Sequence, residues 1–218
     1  MKPEFSSILF DLDGTIVDSA PGITATLAYT FEQLGLPVPP QEELVAYVGP
    51  PLLDSFRDLA GFTIEESQHA LEVYRPEYLR AGAFNATVYP GVEEVLRAIS
   101  HSGVPLSLAT SKPEAPATLI LEHYDLLKYF DVITGASHDE VRSAKADVVE
   151  EALARLVLIG ADTSKSVLVG DRSHDVHGAA AHGVPSIFVR WGYGSPHEES
   201  GAIAVADTTD QLLIHLFG

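Results

Sequence analysis

The stretch Ser6-Ser7-Ile8-Leu9-Phe10, followed at once by Asp11-Leu12-Asp13-Gly14-Thr15, decides how this chain is read. A short apolar run that breaks into two carboxylates and a glycine has the pattern of a buried strand ending at a ligand site. In open α/β sheets such sites lie at the carboxyl ends of parallel strands. Two acids two positions apart are costly there unless something neutralises them. A divalent cation would do so, and hard oxygen ligands suit magnesium. Gly14 lets the chain turn sharply and bring backbone N–H groups to an anion. The plain alternative is an acidic surface turn, because Asp-Gly is a common turn pair.

Working outward, short apolar runs alternate with helical patterns, which argues for βαβ units and a parallel sheet. Strands are expected at residues 6–10, 104–109, 130–134, 166–169 and 186–189, with a short one at 203–205. Most are continuous apolar runs, as in strands buried on both faces. Val148, Val149, Ala152, Leu153 and Leu156 form one helical stripe, and Val92, Val95, Leu96 and Ile99 another. Residues 19–88 break the alternation and read as helical throughout. Ile23, Leu27, Phe31 and Leu34 share one face, and Gly35 ends that run. Pro39-Pro40 opens a short helix, and Gly49-Pro50-Pro51 is a turn before Leu52, Phe56 and Leu59. Ile64, Leu71 and Tyr74 suggest a longer helix that Pro76 must kink or divide. Tyr89-Pro90-Gly91 closes the segment as a turn. The whole reads as a helical insertion after the first strand of an α/β core.

Three further motifs carry chemistry. Gly170-Asp171-Arg172-Ser173-His174-Asp175 again follows an apolar strand. Asp175 lies about one helical turn beyond Asp171, so both carboxylates can face one site; helix capping is the alternative. In Thr110-Ser111-Lys112-Pro113 a strand ends in a hydroxyl residue. Pro113 suits a helix start, whose free N–H groups could help cradle an anion. An ordinary Thr/Ser cap is the alternative. Lys145 opens a helix, where the dipole disfavours a cation. An anion in front of it would account for that placement, and a solvated lysine is the alternative.

The composition limits the partners. The 218 residues hold 31 Asp+Glu against 13 Lys+Arg, a formal charge of −18. That balance argues against a nucleic-acid backbone or an anionic membrane surface as the main partner. There is no cysteine, so disulfide, thiolate-metal and cysteine-nucleophile chemistry are excluded. No run approaches the roughly 20 apolar residues of a membrane span, and the N-terminus has no secretory h-region. A cytoplasmic location is the expectation. Asn85-Ala86-Thr87 matches a glycosylation sequon and reads as chance without such a signal. His138-Asp139 and His174-Asp175 evoke a His-Asp metal phosphohydrolase, but those enzymes are helical and both pairs here follow expected strands.

Taken in order, Asp-x-Asp-Gly-Thr, Thr-Ser, Lys and Gly-Asp-x-x-x-Asp resemble the haloacid dehalogenase-like hydrolase superfamily over nearly the whole chain. The Gly-Asp-Arg-x-His-Asp-Val-x-Gly-Ala run, His182-Gly183-Val184 and Trp191-Gly192-Tyr193-Gly194 look closest to its phosphoglycolate phosphatase-like branch. The resemblance implies an α/β fold: a Rossmann-like three-layer core with a parallel sheet and an inserted all-helical cap. The core would comprise residues 1–16 and 89–218 and the cap residues 17–88. It also implies a Mg²⁺-dependent phosphatase acting on a small phosphomonoester, such as phosphoglycolate, a nucleotide or a sugar phosphate. Asp11 would be the nucleophile and form an aspartyl-phosphate, with Asp13 as general acid and base. The acid role needs Asp13 protonated at first, which a neighbouring carboxylate and partial burial would favour. Thr110, Ser111 and Lys145 would hold the phosphoryl group, and Asp11, Asp13, Asp171 and Asp175 the metal. Gly49 and Pro50 of the cap would face the substrate. The partner would be a small phosphorylated metabolite, and the protein a monomer or homodimer. Two alternatives stand beside this: a sugar phosphomutase, against which Thr15 counts, and a non-catalytic regulatory module on the same fold.

Overall fold

Alternate residues of the apolar runs face opposite ways, and this builds the layers. Ile8, Phe10, Leu106, Leu108, Val167 and Val169 join one buried cluster, whereas Leu9, Ala109 and Leu168 join another on the opposite face. The computed structural model describes residues 4–218; Met1, Lys2 and Pro3, where the N-terminal reading begins, lie outside them.

In chain order, β1 (Ser7–Phe10) leads to a two-residue strand β2 (Val17–Asp18) and then to α1 (Ala20–Gln33), α2 (Gln41–Val45), α3 (Leu52–Asp58) and α4 (Ile64–Glu77). A five-residue π-helical turn, Tyr78–Gly82, follows directly, and β3 (Thr87–Val88) returns to pair antiparallel with β2. Next come α5 (Val92–Ser102), β4 (Leu106–Pro113), α6 (Glu114–His123), β5 (Val132–Ala136) and α7 (Lys145–Leu158). The chain ends with β6 (Ser166–Gly170), α8 (Ser173–Ala180), β7 (Ser186–Val189), β8 (Ala204–Ala206) and α9 (Thr209–Phe217). The six-stranded sheet has the order β5-β4-β1-β6-β7-β8 and is parallel throughout. Residues of α5, α6 and α9 pack in one cluster and residues of α7 and α8 in the other, so helices cover both faces. The α/β fold with a parallel sheet is thus the one expected.

Several local expectations need correction. The strand expected to stop at residue 109 runs on to Pro113, with an irregular register after Ala109, because Ala136 of β5 still pairs with Pro113. Pro76 does not divide α4; it falls in the last turn, and the backbone widens into the π turn just after it. Leu59 and Ile64 are 51% and 63% exposed and join no buried face. The β2–β3 ribbon, at the two ends of the helical segment, was not foreseen.

The helical segment contributes an aromatic group to the buried cluster that Ile8 and Phe10 of β1 also join. Phe31, Tyr47, Phe56 and Phe62 pack with ring centroids 5.7–6.4 Å apart. Thr63 caps α4 in a reciprocal capping box with Glu66. Among the described residues no helix is long and apolar enough to cross a membrane.

Candidate active site

The sheet order places β1 between β4 and β6, so their carboxyl ends bring Asp11, Thr110 and Asp171 to one edge. Asp11 directly follows β1 and is tied to β6, its amide donating to the Val169 carbonyl at 2.9 Å. Asp11, Asp171 and Asp175 are all buried, and one carboxylate oxygen from each lies within 4.8 Å of the others. Burial pushes the Asp11 pKa up to about 6; Lys145 opposes this and Asp175 adds to it. Burial also holds the Asp171 carboxyl well above the usual range, reinforced by Asp175 and Asp11.

Lys145 offsets part of this charge. It opens α7, and its ammonium donates to Asp11 Oδ1 at 2.7 Å and to the Ala109 carbonyl at 2.9 Å. It also pairs with Asp175 Oδ1 at 2.7 Å. Burial alone would lower the Lys145 pKa, but the two aspartates outweigh it and raise it. A lysine at a helix start is explained here by the anions in front of it. Asp175 serves twice, because its other oxygen accepts from the Arg172 amide at 3.0 Å and caps α8.

Close approach explains several glycines. Gly14 has φ +82°, and a Cβ there would lie 2.3 Å from Asp171 Oδ2. The Trp191–Gly194 loop folds against the same aspartate. A Cβ on Gly192 would meet Asp171 Oδ2 at 2.3 Å, and one on Gly194 would meet the Asp171 carbonyl at 1.9 Å. The Tyr193 amide donates to Asp171 Oδ2 at 2.7 Å, and Thr15 Oγ1 to Oδ1 at 3.3 Å. Gly194→Ala should therefore displace Asp171 and cost about 1–3 kcal/mol, the usual scale of overpacking. A melting temperature equal to that of the parent protein would contradict this.

On β4, Thr110 and Ser111 are buried beside this cluster, and Thr110 Oγ1 accepts from the Lys112 amide at 3.2 Å. Both hydroxyl residues belong to the extended strand, not to a helix start. Asp13 meets a partner that the sequence reading passed over. Lys112 donates to Asp13 Oδ2 at 2.9 Å and lies 4.7 Å from the centre of the Tyr78 ring. The acid expected to have a carboxylate beside it thus has an ammonium in contact. Asp13 Oδ1 has no partner among the described residues. Burial would lower the Lys112 pKa, but Asp13 and Tyr78 outweigh it and raise it.

Two other residues join the core to the helical segment. Arg172 donates through Nη1 to the Val48 carbonyl at 2.8 Å and through Nε to Glu198 at 2.9 Å. The Tyr193 hydroxyl donates to Asp18 at 2.7 Å and accepts from the amides of Ser19 and Ala20 at 2.8 and 2.9 Å. Gly49, with φ +103°, and Pro50 border a cavity of about 490 Å³ that also reaches Asp13, Ser111 and Lys112. Asp11, Asp13, Thr110, Ser111, Lys145, Asp171 and Asp175 are therefore at this edge, and Gly49 and Pro50 are on this cavity. Lys112, Arg172 and Tyr193 were missed as site residues, although each stood inside a motif already noted.

A parallel α/β sheet with an acidic cluster at the ends of β1 and β6, a buried lysine and a hydroxyl strand end defines the class. The chain belongs to the haloacid dehalogenase-like hydrolases, whose family pattern it matches over residues 8–189. Within them it falls in the phosphoglycolate phosphatase-like branch. It is 34% identical to the phosphoglycolate phosphatase of Caulobacter vibrioides, covering 97% of this chain and 87% of that one. It is 40% identical to the tyrosine-protein kinase PtkA of Mycobacterium tuberculosis over 86% of its own length, and spans 62% of that relative's length. A solved structure of a predicted phosphatase from Clostridium acetobutylicum superposes with a TM-score of 0.90 at 36% identity, covering 96% of this chain and 97% of that one.

Proposed function

We propose that the protein is a Mg²⁺-dependent phosphatase of small phosphomonoesters, working through an aspartyl-phosphate on Asp11. The observation that carries this is the Asp11–Lys145 pair at 2.7 Å beside a buried three-carboxylate cluster. A pure binding module has no need of a lysine-held nucleophile beside two further acids. Asp11 attacks phosphorus in line, while Lys145, Thr110 and the Ser111 amide hold the equatorial oxygens as charge redistributes. Asp13 handles the proton on the leaving oxygen and then on the attacking water. Residues 17–88 act as a cap that excludes bulk water and faces the leaving group. The core is then residues 1–16 and 89–218.

The donor set fits a divalent cation. Three mutually close, buried carboxylates with one lysine among them leave negative charge uncompensated, and oxygen donors suit magnesium. Asp11, the Asp13 main-chain oxygen and Asp171 would hold it, with Asp175 in support. When bound, it would neutralise the repulsion between a carboxylate and an incoming phosphate.

This reading fixes a pH dependence. The Asp11 carboxyl is raised in the folded protein from the ordinary 3.8 to about 6, and Asp171 shifts the same way. For Asp11, well below pH 4 both folded and unfolded forms are protonated and no cost arises, and above about pH 6 both are ionised and its full cost applies. Stability without metal should therefore fall as pH rises from about 4 to 6, by roughly 3 kcal/mol from Asp11 alone. Mg²⁺ competes with those protons, so melting curves in Mg²⁺ and in EDTA should diverge with rising pH. Parallel curves would argue against a metal on these carboxylates.

A generic phosphomonoester with Mg²⁺ should release inorganic phosphate, and EDTA should stop the release. Product analysis with a hexose phosphate separates a mutase, which yields an isomer without free phosphate. The PtkA likeness makes transfer to a tyrosine hydroxyl the second reading; phosphate found on a tyrosine, stable to the hydroxylamine that cleaves an aspartyl-phosphate, would support it.

A further inference from the structure

The cavity at Asp13 says something about what leaves. Its volume is about 490 Å³, whereas about 150 Å³ of apolar cavity holds one benzene ring. Its walls between the cap and the core are largely apolar, among them Ile23, Tyr47, Leu71, Tyr74 and Leu79. Leu79 is 43% exposed, an apolar side chain left partly uncovered at this wall.

The charges around it are balanced and already spent on one another. Lys112 pairs with Asp13 at 2.9 Å, Arg142 with Glu114 at 2.9 Å, and Arg75 with Glu140. The remaining basic residues of residues 17–88, Arg57 and Arg80, pair with Asp54 and Glu77 and do not line the cavity. Among the described residues, no Lys or Arg of this wall is left without a carboxylate. A leaving group bearing a carboxylate or second phosphate would meet no uncommitted cation and would lose its hydration. Two buried polar atoms of the lining stand apart from these pairs. Asp13 Oδ1 and the Tyr78 hydroxyl are both buried and have no partner among the described residues, and both residues line the chamber.

We propose that this chamber selects phosphomonoesters whose alcohol half is uncharged and carries a ring system, and disfavours alcohol halves that carry a second anionic group. The inference rests on the phosphatase reading above and narrows its substrate class. The ring would lie against Tyr47, Tyr74 and Leu71, with the ester oxygen towards Asp13. Water attacks the aspartyl-phosphate after the P–O bond to the alcohol breaks, so the products are the free alcohol and inorganic phosphate.

The test compares three esters of primary alcohols with Mg²⁺ present: 1-naphthylmethyl phosphate, ethyl phosphate and phosphoglycolate. The naphthylmethyl ester should exceed ethyl phosphate in kcat/KM by at least about tenfold, the scale of a methylene or two in an apolar pocket. Phosphoglycolate should fall below ethyl phosphate. Phosphoglycolate turned over as well as the naphthylmethyl ester would overturn the proposal. Glu140→Gln frees Arg75 and should raise kcat/KM for phosphoglycolate by up to about fivefold, the scale of one partly exposed charge pair. The readout is the ratio of kcat/KM for phosphoglycolate to that for ethyl phosphate, which should rise. No gain with phosphoglycolate would overturn the charge argument. Release from none of the three would defeat the phosphatase reading itself. Binding to Asp11→Asn by calorimetry would then still decide the chamber. 1-Naphthylmethylphosphonate should bind at least about tenfold tighter than phosphonoacetate, and the reverse order would overturn the proposal.

Discussion

Replacing Asp11 by Asn lowers turnover by about 10⁴-fold or more, the scale of losing a covalent nucleophile, while the protein still folds. The amide keeps the shape of the side chain and cannot form the acyl-phosphate. The fold should hold because the substitution removes a destabilising feature. Asp11 is buried with its pKa pushed up to about 6, and its carboxylate faces Asp171 and Asp175. Lys145 loses one anionic partner but keeps Asp175 at 2.7 Å and the Ala109 carbonyl at 2.9 Å. Melting in EDTA at pH 7 should therefore show equal or greater stability. Turnover within a factor of ten of the parent would remove Asp11 from the nucleophile role.

Lys145→Met should do the opposite to stability. Lys145 is the ammonium in contact with both Asp11 and Asp175, and it is 6% exposed. Without it the carboxylates face one another unpaired, and breaking a buried pair in this way costs about 3–5 kcal/mol. For a chain of this size that lowers the melting temperature by roughly 10 °C. The loss should shrink at pH 5, where protons replace the ammonium, and Mg²⁺ should recover part of it at pH 7. Activity should fall as well, because the proposed mechanism uses Lys145 as a donor to the phosphoryl oxygens. A melting temperature unchanged at pH 7 would mean that Lys145 does not carry the charge balance assigned to it.

The sheet and the carboxylate cluster were legible because each depends on local sequence. An apolar run ending in Asp places that Asp at a strand end, and Gly14 marks the sharp turn that follows it, with φ +82°. What remained hidden depends on partners distant in sequence. Lys112 looks like a solvated lysine until β4 is seen to run past it to Pro113, and its partners Asp13 and Tyr78 lie 99 and 34 residues away. Arg172 sat inside a recognised motif, but its target is the Val48 carbonyl, a group no side-chain pattern reports. Tyr193 stood in the Trp191–Gly194 run, but only the folded loop brings its hydroxyl to Asp18, Ser19 and Ala20. The β2–β3 ribbon escaped because a two-residue strand has no periodicity to detect. Leu59 and Ile64 misled in the other sense, since helical spacing alone does not say which apolar residues are covered.

The position of β1 between β4 and β6 also has a consequence in time. Neither neighbour exists when β1 leaves the ribosome. At about 5–20 residues per second, Asp171 is synthesised roughly 10–30 s after Asp11. During that interval the nascent chain can bury the aromatic cluster of α1–α4, whose contacts are comparatively local, but it cannot bring the carboxylates together. The charged centre is thus assembled late, after the helical segment has left the ribosome, and ribosome-bound chains halted before β6 should carry a folded helical segment and no phosphatase activity.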